Sequence, residues 1–147
     1  METKFEIVPV LTRILTHHDD IVEAIVEYGG DKIGPDDVVC VAESVVAITQ
    51  GGAKRSEDFK PGLLAKVLCR LFPSKGSISG WHSMQALIDA EGGMRVLIAV
   101  ICGFAAKCVG VSGVFYRMAG EQARLIDDVT GTMPPYDKHI VYGPHNP

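Results

Sequence analysis

The chain has 147 residues and a formal net charge of -4, and its composition is 47% hydrophobic and 22% charged. This length predicts a single domain over residues 1–147, and the apolar content is too high for a disordered chain. The excess of acidic over basic side chains disfavours nucleic-acid binding, which depends on a clustered basic surface. The longest uncharged apolar run, residues 96–106, is shorter than the roughly 20 residues that a membrane-spanning helix needs. We therefore expect a cytoplasmic domain that binds neither nucleic acid nor membrane.

The N-terminal part of the chain contains an extended segment followed by an amphipathic helix. Residues 4–15 are rich in Val, Ile and Leu but include Pro9, which predicts an extended segment or an edge strand. Asp19 and Asp20 come directly before apolar residues at helical spacing, and a glycine pair follows these residues. Because Asp caps helix starts and Gly ends helices, the pattern predicts a helix over residues 19–28.

Short apolar segments alternate with turns through the remainder of the chain. The continuous apolar run 38–42 predicts a strand buried on both faces, and residues 43–50, which follow at once, predict a short helix. Helical spacing of apolar residues indicates two more helices over 61–72 and 81–90, and residues 139–142 predict a final strand. The expected fold class is therefore mixed α/β (α+β), a small mixed sheet with helices packed on it.

One apolar stretch, residues 94–114, is too large to be buried completely in a domain of this size. Within it, residues 94–108 predict a buried helix or a mixture of helix and strand. We expect part of the stretch to face a second chain, since large exposed apolar patches mark interaction surfaces.

Two neighbouring acids are candidate metal ligands. Asp127 and Asp128 lie beside Thr130 and a glycine turn. Two carboxylates and a hydroxyl in this setting suit a hard cation that bridges phosphates, because such cations prefer oxygen ligands. The alternative is a turn cap with one exposed acid.

Four segments carry a resemblance to a known enzyme family. They are HHDDIVEAI at 17–25, DDVVCVAESVVAITQGG at 36–52, YRMAG at 116–120 and HIVYGPHNP at 139–147. On these segments the chain resembles the N-terminal part of the gamma-glutamyl ligases of coenzyme F-420, a deazaflavin cofactor. The resemblance implies a gamma-glutamyl-ligase-like fold and a homodimer. It also implies use of GTP and of Mg²⁺ or Mn²⁺ to join L-glutamate to the coenzyme precursor.

The same resemblance assigns site residues to this chain. The implied nucleotide contacts fall on two short segments, which are Thr12, Arg13, Ile14 and Leu15, and Glu43 with Ser44. Asp127 and Asp128 are the nearest equivalents of the family's metal-binding aspartate. The resemblance assigns no catalytic residue.

The chain departs from the family at a phosphate-binding position. The family's lysine is replaced by Ile48, which cannot carry charge. If this position faces phosphate, the substitution Ile48→Lys should tighten GTP binding. The resemblance covers nearly all of the chain but only about the first half to two-thirds of a family member. We therefore expect a ligase domain that is incomplete or inactive as an isolated chain. The alternative is a non-catalytic binding or assembly domain that retains the ligase fold.

Overall fold

The structure is a computed structural model that describes residues 6–72, 76–128 and 134–145. Helices dominate the described residues, and two short strands accompany them. In chain order the elements are α1 (Ile21–Gly29), α2 (Glu43–Thr49), β1 (Ala53–Arg55), α3 (Leu63–Leu68), α4 (Trp81–Glu91), α5 (Gly93–Cys108), α6 (Val114–Met118), α7 (Gln122–Leu125) and β2 (His139–Val141).

The two strands form an antiparallel ribbon. In its register Ala53 lies opposite Val141 and Arg55 lies opposite His139. Asp127 adds an isolated antiparallel bridge to Val141, so backbone from three parts of the chain meets at β2. The ribbon confirms the predicted α+β class, and β2 confirms the strand predicted at residues 139–142.

The strand predicted over residues 38–42 is wrong. This segment forms no strand pairing with any described residue, and Val38 is 82% exposed. Residues 6–15 likewise form no edge strand, and Leu11 is 93% exposed. A strand needs a second backbone segment to satisfy its N–H and C=O groups, whatever its side chains favour. The partner of β2 is instead β1, a short segment with two basic residues and no apolar run.

Four predicted helices are confirmed, and one of them is α2, which matches the short helix predicted at residues 43–50. Helix α1 begins after Asp20, whose Oδ1 accepts hydrogen bonds from the backbone N–H groups of Val22 and Glu23 at 2.8 and 3.0 Å. Helix α3 continues into a 3₁₀ turn over Cys69–Leu71, and together they match the helix predicted at residues 61–72. Helix α4 matches the one predicted at residues 81–90.

Helices α4 and α5 supply the centre of the main core. Met84 and Leu87 on α4 and Val96 on α5 are fully buried, and α3, α6 and α7 pack around them. Residues 94–108 thus form a helix, but only one face of it is buried, because Met94 and Ile101 are 69% and 60% exposed. None of the described helices has the length and apolar character required to cross a membrane.

Candidate functional site

The acid pair, Asp127 and Asp128, lies between β2 and the N-terminus of α4. The backbone of Asp127 exchanges two hydrogen bonds with Val141, at 2.9 and 3.0 Å. The hydroxyl of Ser83, which is fully buried, donates a hydrogen bond of 2.6 Å to Asp128 Oδ1. A Cβ atom on Gly80 would lie only 3.2 Å from Asp128 Oδ2. The Asp128 carboxylate is therefore fixed in position at the start of α4.

The two carboxylates of the acid pair have different surroundings. Burial raises the pKa of Asp127 above its ordinary value, because desolvation disfavours the charged form. Asp128 lies beside the first turn of α4 and accepts a hydrogen bond from the hydroxyl of Ser83. Within residues 6–72, 76–128 and 134–145, no group of three or more His, Cys, Asp or Glu side chains could hold a metal ion. Thr130, the third predicted oxygen ligand, lies outside these residues.

The first implied nucleotide segment, residues 12–15, is irregular and largely exposed. Arg13 Nη2 donates to Asp19 Oδ1 at 2.6 Å, and this bond raises the pKa of Arg13 and lowers the pKa of Asp19 well below its usual range. Thr12 Oγ1 donates to the Arg13 carbonyl at 2.9 Å, and Ile14 is 62% exposed. A nucleotide phosphate would have to compete with Asp19 for the Arg13 guanidinium.

The second implied nucleotide segment opens helix α2. Glu43 is exposed and Ser44 is half-buried at the first two helical positions. No hydrogen bond or ion pair joins them to residues 12–15 in the part of the chain that the structure describes. In the described residues, the two implied nucleotide segments, 12–15 and 43–44, are therefore not joined by a polar contact.

Position 48, where the resemblance places a phosphate-binding lysine, faces the protein interior. Ile48 is 8% exposed, on the inner side of α2. It belongs to a small apolar cluster whose other buried members are Ala47, Tyr136 and Val141. The expectation that this side chain faces phosphate is therefore not met by the fold.

Ser83 is a site residue that the sequence does not reveal. Its only local signal is its place in the first turn of α4, whereas its partner Asp128 is 45 residues away in the chain. A contact at this separation depends on how α4 packs beside the end of α7, which no local pattern specifies.

Replacing Ser83 with alanine is expected to lower the free energy of unfolding by about 1–3 kcal/mol, because the partly buried Asp128 carboxylate loses its donor. Urea denaturation followed by circular dichroism measures this change. The matched control is Ser112→Ala, since Ser112 is exposed and has no hydrogen bond to another described residue. Equal midpoints for the two variants would contradict the assigned role.

The architecture is that of a small α+β domain with the Asp128 carboxylate fixed beside its ribbon. The family model for F420-0:gamma-glutamyl ligase matches residues 9–113, which is more than half of the chain. The chain therefore belongs to the F420-0:gamma-glutamyl ligase family and is a ligase-like domain, which confirms the resemblance. No curated protein and no solved structure shows a significant match to it.

The matched range divides the candidate site residues into two groups. Both implied nucleotide segments, residues 12–15 and 43–44, lie inside it, whereas Asp127 and Asp128 lie beyond its end. A metal role for the acid pair therefore gains no support from the family match and depends on the chemistry and geometry of the two carboxylates.

Proposed function

We propose that this domain contributes nucleotide and metal binding to a GTP-dependent amide ligase, in which L-glutamate is joined to a coenzyme F-420 precursor. The observation that carries the proposal is the fixed orientation of Asp128 by the buried hydroxyl of Ser83. Metal-binding carboxylates are commonly held by such outer hydrogen bonds, which pre-set their position. Asp127, next in the chain, carries the second carboxylate of the proposed site.

The proposed reaction needs charge neutralisation and positioning. Amide formation at the expense of GTP runs through an acyl phosphate: a carboxylate oxygen attacks the γ-phosphorus, GDP leaves, and the amine then displaces phosphate. Bound Mg²⁺ or Mn²⁺ neutralises charge on the phosphates in such reactions. In this chain Asp127 and Asp128 would hold the cation, and residues 12–15 with Glu43 and Ser44 would contact the nucleotide.

The isolated chain is proposed to bind GTP weakly and to show no ligase turnover. A lysine that contacts phosphate contributes about 1.5–3 kcal/mol, and this chain has no such contact from position 48, because Ile48 is buried in an apolar cluster. Arg13 does not readily replace the missing phosphate contact, because its guanidinium is already paired with the carboxylate of Asp19.

Calorimetric titration of GTP in the presence of Mg²⁺ or Mn²⁺ tests the proposal. We expect weak, metal-dependent binding that Asp127→Asn and Asp128→Asn each abolish. Because the pKa of Asp127 is raised, and because metal ligands must be deprotonated, binding should weaken as the pH falls through that pKa.

The matched control for this titration is Asp31→Asn, which removes an exposed acid outside the site. It should leave the affinity unchanged. If the unaltered chain binds no GTP at millimolar concentration, or if all three variants behave alike, the proposed metal and nucleotide function is wrong.

A second candidate function, a non-catalytic binding or assembly domain, is favoured by the outer face of α5. This face carries four apolar side chains at helical spacing: Met94 (69% exposed), Ile98 (48%), Ile101 (60%) and Phe104 (47%). We propose that the face packs against a second copy of the chain in a homodimer. A stable interface buries about 800 Å² of surface on each partner. Helix α5, together with the residues beside it, is long enough to provide that area.

Light scattering over micromolar concentrations is expected to give the mass of a dimer. Ile101→Glu should shift the protein to monomer, because it places a charge in the centre of the apolar face. Val67→Glu, a change at a half-exposed position on α3, should leave the dimer intact. A monomeric unaltered chain would contradict the dimer. A dimer without GTP binding would favour the assembly function over the ligase function.

A further inference from the structure

The outer face of α5 has the residue spacing of a helix-pairing surface. Met94, Ile98, Ile101, Ala105 and Cys108 are all exposed, and successive members are separated by four, three, four and three residues. This alternation is the heptad spacing along which two α-helices pack side by side. At 1.5 Å per residue the five positions extend over about 21 Å. They include no charged side chain, and we call them the α5 seam.

The core of the domain does not account for the α5 seam. The buried residues of α5 are Val96, Ala99 and Val100, which lie on the opposite side of the helix. Gly103 lies on that same side, where a Cβ atom would come within 2.9 Å of the Phe115 side chain on α6. Helix α6 therefore packs on the inner side of α5, away from the seam.

The apolar surface around the α5 seam is large enough for an interface. Three large side chains of the seam and three beside it are 47–76% exposed: Met94, Ile98, Ile101, Phe104, Val109 and Val111. A whole aromatic side chain buries about 150–250 Å², so a half-exposed apolar one presents roughly 100 Å² and the six together on the order of 600 Å². This area approaches the value of about 800 Å² that each partner buries in a stable interface.

The sizes of the side chains make the α5 seam complementary to itself in the reversed direction. The large residues Met94 and Ile98 lie at its N-terminal end, and the small residues Ala105 and Cys108 lie at its C-terminal end. Two parallel copies would place small against small and leave a gap at that end. Two antiparallel copies place the large half of each against the small half of the other, which close packing favours. The dipoles of two antiparallel helices also attract, because opposite ends lie side by side.

We propose that the α5 seam pairs in antiparallel orientation with the α5 seam of a second copy, about a two-fold axis near Ile101. A two-fold interface requires one patch that is complementary to itself, and the size gradient of the seam meets this requirement. The inference rests on the homodimer proposed above for the same face, and it adds the packing element and its direction. It uses neither GTP nor the acid pair.

Spin-label distances in the full chain test the orientation. Cys40→Ser and Cys102→Ser together leave Cys108 as the cysteine open to a nitroxide label, because Cys69 is buried. Each Cys108 lies seven residues from Ile101, so antiparallel pairing should place the two labelled positions about 20 Å or more apart. Parallel pairing would place them within about 10 Å. Electron paramagnetic resonance separates these values, and light scattering verifies that the labelled protein is a dimer.

Enlarging a small residue of the seam gives a second test with opposite signs for the two orientations. Ala105→Leu should weaken the antiparallel dimer by about tenfold, because it sets a large side chain against the large half of the partner seam. In a parallel pair the same change would fill the gap and tighten the dimer. The matched control is Ala90→Leu, at an exposed alanine on α4, which should have no effect.

The outcomes distinguish this inference from the homodimer on which it rests. A dimer with Cys108 labels within about 10 Å, or one that Ala105→Leu tightens or leaves unchanged, would overturn the antiparallel seam while the homodimer stands. A chain that remains monomeric would remove both.

Discussion

Gly120→Ala is expected to lower the free energy of unfolding by about 3–5 kcal/mol, a large part of the total stability of a small domain. Gly120 has a φ of +113°, which L side chains rarely adopt. A Cβ atom at this position would also overlap the carboxylate of Glu91. That carboxylate is 11% exposed and could only swing away by breaking its own bonds.

The bonds of Glu91 connect three helices. Its carboxylate accepts from Arg95 Nη1 at 2.8 Å and from the backbone N–H of Gln122 at 2.9 Å. It thereby links the end of α4 to the first turn of α5 and to the start of α7. Displacing it removes one acceptor from the Arg95 guanidinium and leaves a partly buried backbone donor without its partner, which adds to the strain at Gly120.

Urea denaturation measures the effect of Gly120→Ala, with Gly110→Ala as the control. Gly110 also has a positive φ, +81°, but a Cβ atom there would contact nothing within 4 Å. The control variant should therefore cost only about 1 kcal/mol, from backbone strain alone. If Gly110→Ala proves as harmful as Gly120→Ala, the Glu91 contact is unimportant.

Ile48→Lys is expected to destabilise the protein by at least about 3 kcal/mol and to leave GTP affinity no tighter. Ile48 is 8% exposed, so a lysine here would bring an ammonium group into an apolar cluster. Burial lowers the pKa of such a lysine below its unfolded value. In the window between the two values the unfolded chain binds more protons, so stability should recover as the pH rises towards about 10.

Thermal and urea unfolding at two pH values, combined with GTP calorimetry, test Ile48→Lys. Ile48→Leu preserves the volume and should cost less than about 1.5 kcal/mol. Tighter GTP binding by a stably folded Ile48→Lys protein would show that α2 turns this position towards phosphate, against its placement in the structure.

Helices were the part of the fold that local sequence predicted well. Asp20 caps α1 and a glycine follows its last turn, and these signals act over a few residues. The same holds for α4, which runs from Trp81 to Glu91 and stops at Gly92. The strand predicted at residues 38–42 failed, because strand formation requires a distant partner that an apolar run cannot specify. The strand that pairs with β2 is instead the charged segment β1.

The sequence by itself determined the family, helices α1 to α4 and the last strand. These follow from residue types and spacings over short distances. Only the tertiary structure decided that Ser83 holds Asp128 and that Ile48 is buried. The reason is physical: each of these features joins side chains distant in the chain, and the packing of helices and ribbon, not local propensity, sets such distances.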